Sequence, residues 1–157
     1  MKKIIAIIAL AIGLCISASA QRASVPYVSL GAVYSMVDNN VGAGLAVGFR
    51  NYNRSKFLSV GLGAEAYTYY IPAVKGVGAF VNPEIGLAIG PKGFKLYPHT
   101  GAMVGWDNIT NSFAWGGKEG LALDFGKNFT LDFSTYVPKF NFVSPTFAIN
   151  LTWRFGK

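Results

Sequence analysis

Few side chains in this chain could move a proton, attack a carbon or hold a metal. His99 is its single histidine and is followed by Thr100 and Gly101. A general acid or base works only with a partner inside hydrogen-bond reach, so a lone histidine reads first as a buried hydrogen-bonding group. Asp107, Asp124 and Asp132 lack the spacing of metal ligands, and no phosphate loop or nucleophile elbow occurs. No catalytic residue, cofactor or metal is expected. The remaining ionisable groups of interest, Arg50, Glu65, Glu84, Lys95, Lys118, Asp132 and Arg154, share a placement rather than a motif. Each falls inside a stretch in which apolar residues alternate with small or polar ones.

That alternation names the element that must position them. From Val41 to Arg50, Val41, Ala43, Leu45, Val47 and Phe49 share one face, and Gly42, Gly44, Ala46, Gly48 and Arg50 share the other. A period of two is a β-strand with one apolar side. Its second face is a row of glycines ending in a cation, which suits the crowded interior of a small closed barrel. The pattern recurs. Gly44-Leu45-Ala46-Val47, Gly86-Leu87-Ala88-Ile89 and Gly120-Leu121-Ala122-Leu123 each run into a short polar turn, and new strands open at Phe57, Phe94 and Phe129. Glycines and prolines interrupt every helical window, while tyrosine and phenylalanine are abundant. Strands are predicted near 26–36, 41–51, 57–71, 77–89, 94–106, 112–125, 129–137 and 145–155.

The same alternation separates two faces. Val28, Leu30, Ala32, Tyr34, Leu58, Val60, Leu62, Ile85, Leu87, Leu131, Phe133, Phe147, Ile149, Leu151 and Trp153 fall on an apolar side. Arg50, Glu65, Asn82, Glu84, Lys95, His99, Lys118, Asp132, Asn150 and Arg154 fall on the other. Enclosed charges are costly unless paired. An internal polar network is therefore predicted for Arg50, Glu65, Glu84, Lys95, His99, Lys118, Asp132 and Arg154, with Glu65, Glu84 and Asp132 as its acidic members. Glu119 breaks the pattern, because strict alternation from Leu121 sends it to the apolar side; a β-bulge at Gly116-Gly117 would reverse it together with Phe113 and Trp115. Tyr67, Tyr69, Tyr70, Trp106, Trp115 and Tyr136 gather toward one end of the strands, and Phe49, Tyr52, Phe57, Phe94, Phe125, Phe129, Trp153 and Phe155 toward the other, as two aromatic girdles would.

The N-terminus reads as an export signal. Lys2 and Lys3 precede an apolar run from Ile4 to Ile16, and Ala18-Ser19-Ala20 forms a small-x-small cleavage site before Gln21. Roughly thirteen apolar residues are too few to span a bilayer, which needs about 20. Cys15, the only cysteine, lies in that run after Leu14 and is read as part of the discarded signal. Two segments follow: a signal peptide, residues 1–20, and one barrel domain, residues 21–157. Cleaving 20 of 157 residues leaves 137, and removing two of 14 basic residues leaves 12 against seven acidic ones. No disulfide or thiolate site remains. The scattered cations contain no basic run, so no nucleic-acid partner is expected. The charged fraction, 13% of the full chain, is low beside the about 25–35% typical of designed water-facing surfaces.

The export signal, the repeated Gly-Leu-Ala hairpins and the alternating terminal strand Thr146-Phe147-Ala148-Ile149-Asn150-Leu151-Thr152-Trp153-Arg154-Phe155 resemble the OmpA/OmpX-type outer-membrane β-barrel family of Gram-negative bacteria. The resemblance covers essentially the whole segment after residue 20. It implies an all-β, eight-stranded antiparallel up-and-down transmembrane barrel in the cell outer membrane, with both termini and the turns 52–56, 90–93 and 126–128 in the periplasm. It implies as partners outer-membrane lipid and lipopolysaccharide, the assembly machinery during biogenesis, and a monomeric state. Some barrels similar in size act on lipid A through a His-x-Ser arrangement; here His99 is followed by Thr100 and Gly101, so that arrangement is absent. The family shares a scaffold more than an activity. A structural or surface-interaction role in the envelope is therefore expected, with a narrow pore or small-ligand binder, or a soluble periplasmic lipocalin-like lipid binder, as alternatives.

Overall fold

The computed structural model describes residues 25–36, 39–108, 112–139 and 145–155. The expected signal peptide and its cleavage site lie outside the described residues. Eight strands follow in order: β1 Val25–Ser35, β2 Asn40–Asn51, β3 Leu58–Ile71, β4 Gly76–Ile89, β5 Phe94–Asp107, β6 Ser112–Phe125, β7 Phe129–Pro138 and β8 Thr146–Arg154. Every strand pairs antiparallel with its sequence neighbours. β1 also pairs with β8, from Tyr27↔Arg154 to Ser35↔Thr146, and closes the barrel. Closure leaves no unpaired edge, which is how a sheet of this size avoids aggregation.

The strand limits match the predicted ones to within about one residue, because period-two alternation stops where turn chemistry begins. Turn 126–128 uses Gly126 in the left-handed region (φ 59°). Lys75, also left-handed (φ 51°), closes a 3-10 turn over Pro72–Val74 by donating its N–H to the Pro72 carbonyl at 3.2 Å. The three turns 52–57, 90–93 and 126–128, with Val25 of β1 and Arg154 of β8, mark one mouth of the barrel, the near mouth; the strand ends Ser35 and Asn40, Ile71 and Gly76, Asp107 and Ser112, and Pro138 and Thr146 mark the far one.

One seam differs from the rest. Between β4 and β5 the register is constant, yet pairing lapses between Val81↔Val104 and Glu84↔Gly101, and again between Gly86↔His99 and Ile89↔Leu96. Pro83 and Pro98 sit in those two gaps. Proline has no N–H to give to a ladder, so each removes a hydrogen bond from this seam.

The alternation resolves the faces in favour of an apolar exterior. Leu30, Val41, Leu58, Val60, Leu62, Ile149 and Leu151 are all more than half exposed, and the charged set faces inward. A soluble lipid binder would show the reverse. No bulge occurs at Gly116-Gly117: Met103↔Gly116 and Thr100↔Glu119 on one side, and Gly116↔Pro138 and Glu119↔Thr135 on the other, belong to unbroken registers. Phe113 and Trp115 stay outside, and Glu119 goes with them.

Three residues assigned to the far aromatic girdle are not in it. Tyr67, Tyr69 and Tyr136 are buried inside the barrel. Position along the strand suggested a girdle, but the parity set by Leu58, Val60 and Leu62 puts Tyr67 and Tyr69 on the inner face, and parity wins. The far rim instead exposes Tyr34, Tyr70, Phe113 and Trp115; the near rim exposes Phe57, Phe94, Phe125, Phe129, Trp153 and Phe155. Tyr52 also turns inward, stacking on Tyr97 with ring centroids 5.1 Å apart.

Candidate functional site

The interior divides into three levels. Toward the far end it is mostly apolar: Val33, Ala46, Tyr67, Tyr69, Ile71, Phe80, Met103 and Ala148 form one buried cluster, with Tyr67 and Tyr136 stacked at 4.5 Å, and Ser35, Asp107 and Thr146 are buried beyond it at the strand ends. Glycines make this possible. A Cβ on Gly44 would stand 2.6 Å from the Tyr67 hydroxyl, and one on Gly86 2.7 Å from the Tyr97 ring. The repeated Gly-Leu-Ala segment therefore has a packing reason: its glycine faces inward and yields its volume to a large ring on a neighbouring strand.

The middle level is an ion-pair network. Arg50 on β2 donates from Nε to Glu84 on β4 at 2.6 Å and from Nη2 to Asp132 on β7. Its guanidinium lies 5.4 Å from the Tyr27 ring centre and 5.3 Å from that of Tyr97. Lys118 on β6 donates to Glu65 at 2.6 Å and to Glu84 at 2.9 Å. Glu65 also accepts from Tyr27 at 2.9 Å, Asn82 at 3.0 Å and Tyr136 at 3.0 Å, and Asp132 accepts from Ser134. Three carboxylates thus meet two permanent cations, and His99 stands between two of the three. Its Nδ1 is 3.5 Å from Glu84 and its Nε2 3.4 Å from Asp132, with the side chain wholly buried. The ring fits because both strands beside it carry glycine at its level, Gly86 on β4 and Gly120 on β6; a Cβ on Gly120 would lie 2.5 Å from His99 Cε1.

Two predicted members lie outside this network. Lys95 is fully buried but donates to the carbonyls of Lys56 and Gly90, tying turn 52–57 to turn 90–93. Arg154 donates to Asp124 at 2.5 Å, to the Tyr52 hydroxyl at 2.7 Å and to the Phe129 carbonyl at 3.1 Å. Both sit near strand ends at the near mouth, beyond reach of the middle carboxylates. Asp124, not among the predicted network members, is the acidic centre of this third level; Thr130 donates to it at 2.6 Å and Arg54 lies 3.6 Å away. The signal for it was present, since Asp124 shares the inner parity of Ala122 and Lys118. Arg54 also donates to the carbonyls of Lys127 at 2.9 Å and Gly126 at 2.7 Å. Partial burial, with the nearby Arg154 charge, lowers its guanidinium to about 10.

Arg50, Glu65, Glu84, His99, Lys118 and Asp132 are brought together from β2 to β7, so the network binds strands on opposite walls. A buried ion pair adds little net stability over an apolar pair, but removing one partner leaves an uncompensated charge. What the cluster can do is hold the walls in one register and fill the bore. Eight strands enclose a space just wide enough for side chains. Among the described residues no group of His, Cys, Asp and Glu side chains could hold a metal ion.

No family model and no curated protein matches the chain. Its fold is similar to a solved structure from the de novo design of transmembrane β-barrels, with a TM-score of 0.56 and 14% identity, covering 86% of this chain and 98% of that one. At that identity the likeness speaks to architecture alone, and the chain is a closed eight-stranded antiparallel up-and-down β-barrel.

Proposed function

We propose that this chain is an integral outer-membrane barrel with a structural or surface-contact role in the envelope, exported by its N-terminal signal, and without catalytic activity. One observation carries the reading: apart from Glu119 and a few threonines the outward face of the eight strands is apolar and rimmed by aromatics at both ends, while the charges inside are ion-paired or hydrogen-bonded. A closed barrel satisfies its backbone internally, which hydrocarbon demands of anything that crosses it. Likeness to a designed transmembrane barrel supports a membrane location. Its partners are outer-membrane lipid and lipopolysaccharide, with the assembly machinery engaged during biogenesis, and it works as a monomer.

The narrow-pore alternative is disfavoured by the stacked Tyr67–Tyr136 pair above the Arg50–Glu84–Lys118 network, which together occupy the bore. Burial of His99 between two carboxylates argues against a role for it at a lipid surface. The test is fractionation of expressing cells, with boiled and unboiled samples compared on a denaturing gel. Heat-modifiable migration in the outer-membrane fraction is the expected result. A freely soluble periplasmic protein would overturn the reading.

A further inference from the structure

We propose that the outward face of β4–β6 around Glu119 is a docking surface for a different membrane-embedded protein, one that presents a basic side chain at the depth of Glu119. The proposal rests on the membrane-spanning reading above. Across the outward positions of all eight strands, Glu119 is the one charged side chain among the described residues. It is exposed, and no hydrogen bond or ion pair within the described residues reaches it. Its cross-strand neighbours are Thr100 and Thr135, so three polar residues lie side by side in a mostly apolar belt. Thr100 is already committed, its hydroxyl donating to the Lys118 carbonyl at 3.3 Å.

Depth makes this placement costly. Trp115 is four residues toward the far rim on the same strand and Phe125 six toward the near rim. At about 3.3 Å per residue and a tilt of about 40°, the carboxyl stands roughly 10 Å below the first ring and 15 Å above the second, inside an apolar band about 25 Å tall. Ionisable groups at such depth face a partner or a cavity rather than lipid.

Beside Thr100 the surface is not a smooth wall. Val60, Ile85, Leu87, Pro98 and Thr100 line an open apolar depression of about 430 Å³ along the β4–β5 seam, where Pro98 interrupts the ladder. A ridge of apolar side chains can seat there while its basic group meets Glu119. Lipid does not supply that group, because its charges stay at headgroup level. A second copy does not supply it either, since its described outward face carries only another Glu119. Charge complementarity therefore selects a different protein.

The test uses the barrel in phosphatidylcholine vesicles and two dansyl-labelled single-span leucine peptides, one with a lysine at the depth of Glu119 and one without. Energy transfer from Trp106 and Trp115 reports association. Binding about tenfold tighter for the lysine peptide, the factor a polar contact in hydrocarbon commands, is expected, with the discrimination lost in Glu119→Gln. Equal binding of the two peptides by an inserted wild-type barrel, or discrimination that survives Glu119→Gln, overturns the docking site alone. Crosslinking of two barrels through this face replaces the partner by a second copy and also overturns it. A barrel that does not insert into the vesicles overturns the membrane reading, and the docking site with it.

Discussion

Lys118 and Glu119 are adjacent in sequence and have opposite fates. Lys118 is fully buried inside the barrel and holds two carboxylates; Glu119 is exposed outside and holds nothing among the described residues. The difference is one step of a period-two element. In a barrel wall, what a charge costs is decided by which neighbours share its face, not by its own chemistry. Inside, cations from β2, β6 and β8 meet carboxylates from β3, β4, β6 and β7. Outside, every neighbour is neutral.

The contrast predicts a ranked set of effects. Lys118→Met leaves Glu65 and Glu84 without their shared cation and is expected to cost about 3–5 kcal/mol, read as a lowered urea midpoint for unfolding from vesicles. Ile149→Arg puts a cation into the outward belt without a partner and is expected to cost about 2–4 kcal/mol in the same assay. An unchanged midpoint would mean that this face meets water. Gly120→Val pushes against the His99 ring and should cost about 1–3 kcal/mol by overpacking, partly restored when His99→Ala is added. Glu119→Gln should raise stability slightly, by up to about 1 kcal/mol, since it removes an unpartnered carboxylate from the apolar belt and loses no contact within the barrel. If Lys118→Met and Glu119→Gln cost the same, the distinction between the two faces fails.

Much of this was legible in the chain. Eight strands, their limits and the two faces follow from alternation and turn residues, because both are local. The inward position of Arg50, Glu65, Glu84, His99, Lys118 and Asp132 follows from the same parity. Their pairing does not, since Arg50 reaches Asp132 across 82 positions and only the closed register sets that contact. Lys95 stands apart from the predicted network because its acceptors are carbonyls of two turns, which no side-chain pattern reveals. Tyr67, Tyr69 and Tyr136 lie inside rather than at a rim because parity outweighs aromatic position near a strand end. The lapse at the β4–β5 seam was readable in Pro83 and Pro98, but only once their strands were known to be neighbours.

The central claim is that odd positions of the last strand face lipid and even positions face a packed interior. Spin labels placed singly at each residue from Phe147 to Arg154, with the barrel in vesicles, test it directly. Collision with membrane-dissolved oxygen should be higher at 147, 149, 151 and 153 than at 148, 150, 152 and 154, with a water-soluble nickel reagent excluded from 149 and 151, the odd positions away from the rims. High nickel accessibility at 149 and 151 would put that face in water and contradict the account.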